Sequence, residues 1–116
     1  MKDSALVVRT QAIKNLIQLD AREVRDEIWT DLYSKLNFQN NHGLWIRVHM
    51  AKALAQWARP EDQKRFLKLL MDPDRGIQKW AVFGLERSTG LRVSDPSEPI
   101  LLQKQKWLSK LSSEQI

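Results

Sequence analysis

The chain has 116 residues, of which 42% are apolar and 28% charged, enough for one domain with a modest core. No apolar run approaches the roughly 18 residues that cross a bilayer, which excludes a membrane span. Cysteine is absent, which excludes disulfides, thiolate chemistry and cysteine metal sites. The net charge of +5 and the pI of about 9.7 favour acidic or nucleic-acid partners, although the basic residues are dispersed along the chain.

Apolar residues recur at three- and four-residue steps along most of the chain, which predicts amphipathic helices. We expect six of them, over residues 4–19, 21–37, 44–58, 61–71, 75–88 and 99–112. Asp20 is the expected N-cap of the second helix, and Gly90 is the expected C-cap of the fifth. Residues 37–43 and 90–99 have the composition of loops. Nothing alternates with a period of two for long enough to predict a sheet, so the expected class is all-α.

Three of these helices share one nine-residue pattern, which begins at Val8, Ile46 and Ile77. A β-branched residue comes first, small or medium apolar residues stand fifth and sixth, and leucine stands ninth, all on one helix face. Alanine at the fifth position would let a neighbouring helix approach closely, as at Ala12, Ala51 and Ala81. The starts of the three copies are 38 and 31 residues apart, and a spacing of this length accommodates one helix pair. Such pairs stack because a lone pair cannot bury both of its faces.

The repeat resembles HEAT repeats, including those called phycobilisome-lyase-like. Residues 72–77, Asp-Pro-Asp-Arg-Gly-Ile, look like the family's inter-helix turn, and residues 3–9 look like another copy. Arg9 and Arg47 match the family arginine that hydrogen-bonds to neighbouring turns, and Gln78 replaces it in the third copy. The resemblance covers about residues 3–90.

The resemblance implies a short α–α superhelix of about 2.5 units with a C-terminal capping helix. We expect residues 1–116 to form a single domain that is a fragment, or the C-terminal part, of a longer solenoid, because the first copy lacks its partner helix. Leu101, Leu108 and Leu111 are expected to cover the apolar edge of the last repeat.

In such a fold the second helix of each unit lines the concave surface. The non-core positions there are Thr10, Gln11, Lys14, Asn15 and Gln18 in the first copy, Val48, His49, Lys52 and Gln56 in the second, and Lys79, Trp80, Phe83 and Arg87 in the third. Aromatic residues beside lysine and arginine are typical of interaction hot spots. The candidate partner-binding residues are therefore His49, Lys52, Gln56, Lys79, Trp80, Phe83 and Arg87. The alternative for Trp80 and Phe83 is that they pack under the C-terminal helix.

Catalytic chemistry finds little support in the sequence. His42 and His49 are the only histidines, whereas a zinc site needs three or four ligands. No serine stands in a nucleophile elbow, and the four glycines form no phosphate-binding loop. Glu23 and Glu27 are spaced as part of a charged, solvated helix face. We expect no catalytic residues, no metal and no cofactor.

The expected function is a non-enzymatic protein–protein interaction scaffold that binds an acidic or amphipathic partner segment on a basic concave face. The alternative is a HEAT-like protein that binds nucleic acid, and an accessory lyase of the phycobilin type ranks lowest because only the repeat motif supports it. The absence of a signal-peptide pattern favours the cytoplasm, with a periplasmic or secreted location open if a leader has been removed.

Overall fold

The computed structural model describes residues 4–19, 21–39 and 42–114. Its secondary structure is predominantly α-helical, which confirms the predicted all-α class. The residue contacts divide the chain into two compact units, residues 1–57 (unit 1) and residues 58–116 (unit 2). The expected N-cap Asp20 lies outside the described residues, as do the two central asparagines of the expected 37–43 loop.

Unit 1 contains three α-helices within its described residues: α1 (Ser4–Gln18), α2 (Arg25–Leu32) and α3 (Ile46–Gln56). One 3₁₀ turn, Arg22–Val24, leads into α2, and another, Lys35–Asn37, follows it. The predicted helix over 21–37 is therefore wrong in extent. The hydroxyl of Ser34 accepts a hydrogen bond from the Leu36 N–H at 3.3 Å, and this local bond offers the backbone an alternative to further helix.

The segment predicted as a loop forms a two-residue antiparallel ladder. Strand β1 (Phe38–Gln39) pairs with β2 (His42–Gly43), with Phe38 opposite Gly43. The guanidinium carbon of Arg47 lies 4.4 Å from the centroid of the Phe38 ring. A Cβ atom on Gly43 would come within 2.9 Å of the Arg47 Nη1 atom. Arg47 of α3 thus packs against both strands of the ladder, and composition alone could not predict that contact.

The C-terminus of α2 is capped by two side chains from other elements. The last carbonyls of a helix have no partner inside it. Asn37, which is fully buried, donates its amide N–H to the carbonyl of Asp31, and Arg9 of α1 donates to the Asn37 side-chain oxygen. The Nε–H of Arg47 donates to the carbonyl of Leu32 at 3.0 Å. The end of α2 is therefore the point at which all three helices of unit 1 are joined.

The helices of unit 1 differ in how much of their surface they bury. In α3 eight of the eleven residues are buried, including Val48, which the sequence placed on the exposed face; that prediction is wrong. In α1 the expected apolar face is only partly covered, because Ile13 is buried whereas Ala12 is exposed and Val8 is 68% exposed. The prediction that Val8 and Ala12 face a core is wrong, since the main helical neighbour of α1 is α3, on one side.

Unit 2 begins with a 3₁₀ turn, Pro60–Asp62, and continues with three α-helices: α4 (Gln63–Leu69), α5 (Arg75–Thr89) and α6 (Ile100–Glu114). The ends of α5 agree with the sequence signals. The Asp74 carboxylate accepts a hydrogen bond from the Gly76 N–H at 2.8 Å, as an N-cap does. Gly90 has a φ of 74°, the left-handed conformation that a C-terminal glycine adopts at little cost.

Helix α6 packs on α5 through a different face from the one predicted. Gln103, Trp107 and Leu111, spaced four residues apart, are its buried side chains. Leu101 is 63% exposed, so its predicted role in covering the last repeat is wrong, whereas the predicted burial of Leu111 is confirmed. The polar and indole groups of Gln103 and Trp107 are buried because the preceding loop supplies them with hydrogen-bond partners.

Helices α4 and α5 approach closely at Gly84. A Cβ atom there would overlap the fully buried ring of Phe66, whose Cζ atom would be 2.6 Å away. Glycine in a helix interior costs roughly 0.5–1 kcal/mol relative to alanine, so packing rather than propensity accounts for this residue.

We predict that Gly84→Ala destabilises the protein by about 1–3 kcal/mol, because Phe66 has to leave its position to admit the methyl group. Urea unfolding of the parent and the variant measures the change. In a Phe66→Leu background the same substitution should cost less, and the double-mutant cycle isolates the contact. A variant more stable than the parent would contradict the close approach.

Candidate functional site

The seven candidate partner-binding residues lie in two helices that belong to different units. His49, Lys52 and Gln56 are in α3 of unit 1. Lys79, Trp80, Phe83 and Arg87 are in α5 of unit 2. Each set has a distinct environment within its own unit.

In unit 1 the three candidate residues lie on the accessible stripe of α3. His49, Lys52 and Gln56 are the half-buried residues of a helix whose other side chains are buried. Trp45, the residue before α3, continues the stripe at the four-residue step and is 68% exposed. We call Trp45, His49, Lys52 and Gln56 the α3 stripe.

His49 is the most constrained member of the α3 stripe. Its ring lies edge-on to the indole of Trp45, with 5.7 Å between centroids and 86° between planes. Its Nε2 atom is buried and has no hydrogen-bond partner among the described residues. Burial lowers the pKa of His49 below its usual value, and the positive charges of Lys14 and Lys52 lower the pKa further. Both effects favour the neutral imidazole, so His49 adds less positive charge to this surface than a free histidine would.

In unit 2 the aromatic candidates of α5 contact one another. The rings of Trp80 and Phe83 meet edge-on at 5.7 Å, and the guanidinium carbon of Arg87 lies 5.8 Å from the Phe83 centroid. Phe83 remains 38% exposed and Trp80 is half-buried, so α6 does not cover Phe83 fully. Two aromatic rings and a cation thus form one contiguous cluster.

Phe83 and Lys79 also line a groove between α5 and the start of α6, with a volume of about 1000 Å³. The wall from α5 consists of Arg75, Gln78, Lys79, Val82, Phe83 and Glu86. The facing wall consists of Pro96, Ser97, Glu98, Pro99, Ile100, Leu101, Gln103 and Lys104, with Pro73 and Arg92 at the ends. We call this cavity the α5–α6 groove. From Arg75 to Glu86 it follows about 16 Å of helix.

The charges of the α5–α6 groove are unevenly paired. Its two acids are both neutralised by nearby cations: Glu86 by Arg92 at 3.5 Å and Glu98 by Lys106 at 2.6 Å. Its other three cations, Arg75, Lys79 and Lys104, form no ion pair or hydrogen bond with any described residue. The groove therefore presents an excess of positive charge beside an apolar floor.

Sequence reasoning identified Lys79 and Phe83 but missed Arg75, Leu101 and Lys104. Arg75 is one helical turn before Lys79, a signal that periodicity could have used. Lys104 and Leu101 come from α6, and Leu101 was assigned to the core because it is apolar. No local sequence pattern predicts that the start of α6 lies opposite α5.

A buried polar network holds the facing wall of the groove in place. The indole N–H of Trp107 donates to the Ser94 hydroxyl at 3.1 Å, and that hydroxyl donates to the Gln103 side-chain oxygen at 3.1 Å. The Gln103 amide donates to the carbonyl of Glu98 at 2.8 Å. Ser94, Gln103 and Trp107 are all buried, so the network ties the loop before α6 to α6 itself.

Across the described ranges, no three His, Asp or Glu side chains form a group that could hold a metal ion. None of the described helices combines the length and the hydropathy needed to cross a bilayer.

Comparisons with known proteins identify no relative: no protein-family model, curated protein or solved structure matches this chain. The resemblance to HEAT repeats therefore stays a prediction.

We predict that Ser94→Ala destabilises the protein by about 1–3 kcal/mol, because it leaves the buried Trp107 N–H without an acceptor. Thermal and urea unfolding measure the loss. Ser97→Ala is the matched control, since the Ser97 hydroxyl is exposed and should change stability by less than about 0.5 kcal/mol. Equal effects of the two substitutions would refute the network.

The ion pair at Glu98 predicts a dependence of stability on pH. Hydrogen bonds from the Asp95 N–H and from Lys106 lower the pKa of Glu98 in the folded state. A lowered pKa contributes stability above the unfolded value, about 4.3 for glutamate, and that contribution is lost as the pH falls through the folded value. Melting temperatures from pH 7 to pH 3 should therefore fall less steeply for Glu98→Gln than for the parent. Glu27→Gln, which removes an exposed carboxylate of α2, is the control for the change in net charge, and an unchanged slope for Glu98→Gln would contradict the role of the ion pair.

Proposed function

We propose that this chain is a non-enzymatic, HEAT-like protein-binding module whose α5–α6 groove takes an acidic, amphipathic segment of a partner protein. The observation that carries the proposal is the combination, in one groove, of exposed apolar side chains with three cations that form no ion pair with any residue the structure describes. The candidate residues Lys79 and Phe83 line the groove, and Trp80 and Arg87 contact the ring of Phe83.

The apolar part of the groove supports an amphipathic rather than a purely polar partner. Phe83 and Leu101 are 38% and 63% exposed on opposite walls, and Val82 lies on the α5 wall beside Phe83. Covering these side chains with an apolar face removes their surface from water, which stabilises a complex by roughly 25 cal/mol per Å² before the entropic cost of association. A groove of about 16 Å matches roughly three turns of a bound helix.

The charged part supports an acidic partner. Glu86 and Glu98 are already paired, so an approaching carboxylate meets mainly the charges of Arg75, Lys79 and Lys104. Such complementarity speeds association and excludes basic competitors.

The HEAT-like part of the proposal is supported by the internal repeat. Arg47 and Gln78 occupy equivalent positions in the second and third copies. Arg47 donates to the last carbonyl of α2, and Gln78 donates to the carbonyl of Asp72 at 2.6 Å, in the turn before α5. A polar side chain thus contacts the preceding backbone in both copies, as the family pattern implies.

We predict that Phe83→Ala weakens binding of a defined probe about fivefold or more, since truncating a central aromatic side chain commonly costs over about 1 kcal/mol. The probe is a fluorescein-labelled helical peptide of about four turns, with leucines on one face and glutamates on the other. Fluorescence anisotropy gives the affinity. Lys79→Glu should weaken binding more at low salt than at high salt, because it removes an attraction between Lys79 and the glutamates of the peptide that salt screens.

Two variants of unit 2 control for the change in composition. Lys64→Glu alters the net charge as Lys79→Glu does, but Lys64 is an exposed residue of α4 outside the groove lining. Leu102→Ala shortens an exposed residue of α6, also outside the lining. If these controls weaken binding as much as the groove variants do, the groove is not the binding site.

A further inference from the structure

Trp45 is an aromatic residue that the described residues of unit 1 leave largely exposed. It is 68% exposed at the start of α3, whereas Trp29 and Trp57 of the same unit are buried. The edge-on contact with His49 at 5.7 Å fixes the indole without covering it. An ordered, exposed indole is a flat surface available for stacking.

The surroundings of Trp45 are positively charged and contain no acid on the two helices concerned. Neither α1 (Ser4–Gln18) nor α3 (Ile46–Gln56) contains an aspartate or a glutamate. Lys14 of α1 and Lys52 of α3 both lie near enough to His49 to act on its ionisation. The lowered pKa of His49 favours its neutral form, so Lys14 and Lys52 are the basic side chains placed near the α3 stripe.

We propose that the α3 stripe is a second binding site, which takes single-stranded nucleic acid by stacking a base on Trp45 and placing phosphates on Lys14 and Lys52. From Trp45 to Gln56 the stripe runs about 16 Å along the helix, enough for more than one nucleotide. This site belongs to unit 1 and does not depend on the α5–α6 groove.

The composition of the stripe favours nucleic acid over an acidic protein segment. Beyond Trp45 its members are His49, Lys52 and Gln56, which offer hydrogen bonds and charge but no apolar floor. An amphipathic peptide needs a pocket or groove for its apolar anchors, as in the α5–α6 groove. A base needs one ring face, and every base has a π-face, so such binding is tolerant of sequence.

The proposal predicts weak binding that depends on salt in a defined way. Each phosphate contact on a single strand contributes a slope of about −0.7 to log K against log salt. Two lysine contacts therefore predict a slope of about −1.4 for the parent, and Lys14→Gln should reduce it to about −0.7. Lys35→Gln, which removes an exposed lysine of the 3₁₀ turn after α2, should leave the slope unchanged.

The test is fluorescence anisotropy of a labelled oligothymidylate of about twelve nucleotides with the full chain. Trp45→Ala should weaken binding between about fivefold and a hundredfold, and Trp45→Phe should restore part of the loss. Leu36→Ala, at a residue 72% exposed in the same unit, is the control for loss of exposed apolar surface. Circular dichroism verifies that each variant keeps its helices.

Competition separates base stacking from simple attraction of anions. A polyglutamate peptide at equal charge should displace the oligothymidylate poorly, and duplex DNA should bind less tightly because its bases are already stacked. Displacement by polyglutamate as effective as by unlabelled oligothymidylate would overturn the proposal in favour of an acidic protein segment. Equal binding by the parent and Trp45→Ala, or no salt-sensitive binding by the parent, would also overturn it. None of these outcomes bears on the peptide probe of the α5–α6 groove.

Discussion

The guanidinium of Arg47 is a permanent charge inside unit 1, with only 1% of the residue exposed. Burying it is costly unless its donors are satisfied and its charge is favourably placed. The Leu32 carbonyl at 3.0 Å and the Phe38 ring at 4.4 Å meet these needs in part, so the end of α2, the ladder and α3 are fixed together. Successive helix residues are about 100° apart, so with Arg47 inward, His49 faces roughly away. The orientation of the α3 stripe follows from a residue that is not part of it.

Gln78 has the corresponding part in unit 2, with a neutral amide in place of the guanidinium. Its bond to the Asp72 carbonyl joins α5 to the turn before it, and only 9% of the residue is exposed. An amide loses less hydration than a guanidinium on burial and makes a weaker, uncharged bond. Lys79 and Phe83 then project from the neighbouring positions into the α5–α6 groove. In both copies the residue that orients the helix lies within two positions of a residue that we propose binds a partner.

Signals that act within a few residues were enough to predict several features correctly. The predicted start of α5 near residue 75 and its predicted C-cap, Gly90, are confirmed, and periodicity placed His49 on the accessible side of α3. Sequence reasoning failed where a second element decides the outcome. Leu101 was expected to cover the last repeat but is exposed, and Trp45 is exposed as well, because whether an apolar side chain is covered depends on a neighbour that the local pattern does not contain. The groove could not be predicted for the same reason, because its walls come from elements distant in sequence.

The net charge of +5 says less about partners than the way in which acids are paired. Dispersed lysines and arginines would ordinarily give a mixed, solvated surface. In the α5–α6 groove the two acids are engaged by Arg92 and Lys106, and in α1 and α3 acids are absent altogether. The positive potential therefore has a different origin in each unit. In unit 2 the acids of the groove are paired with other cations, and in unit 1 the two helices contain no acids. Only the α5–α6 groove also contains exposed apolar side chains. That difference is the physical reason to expect an amphipathic protein segment in the α5–α6 groove and a stacked base on the α3 stripe.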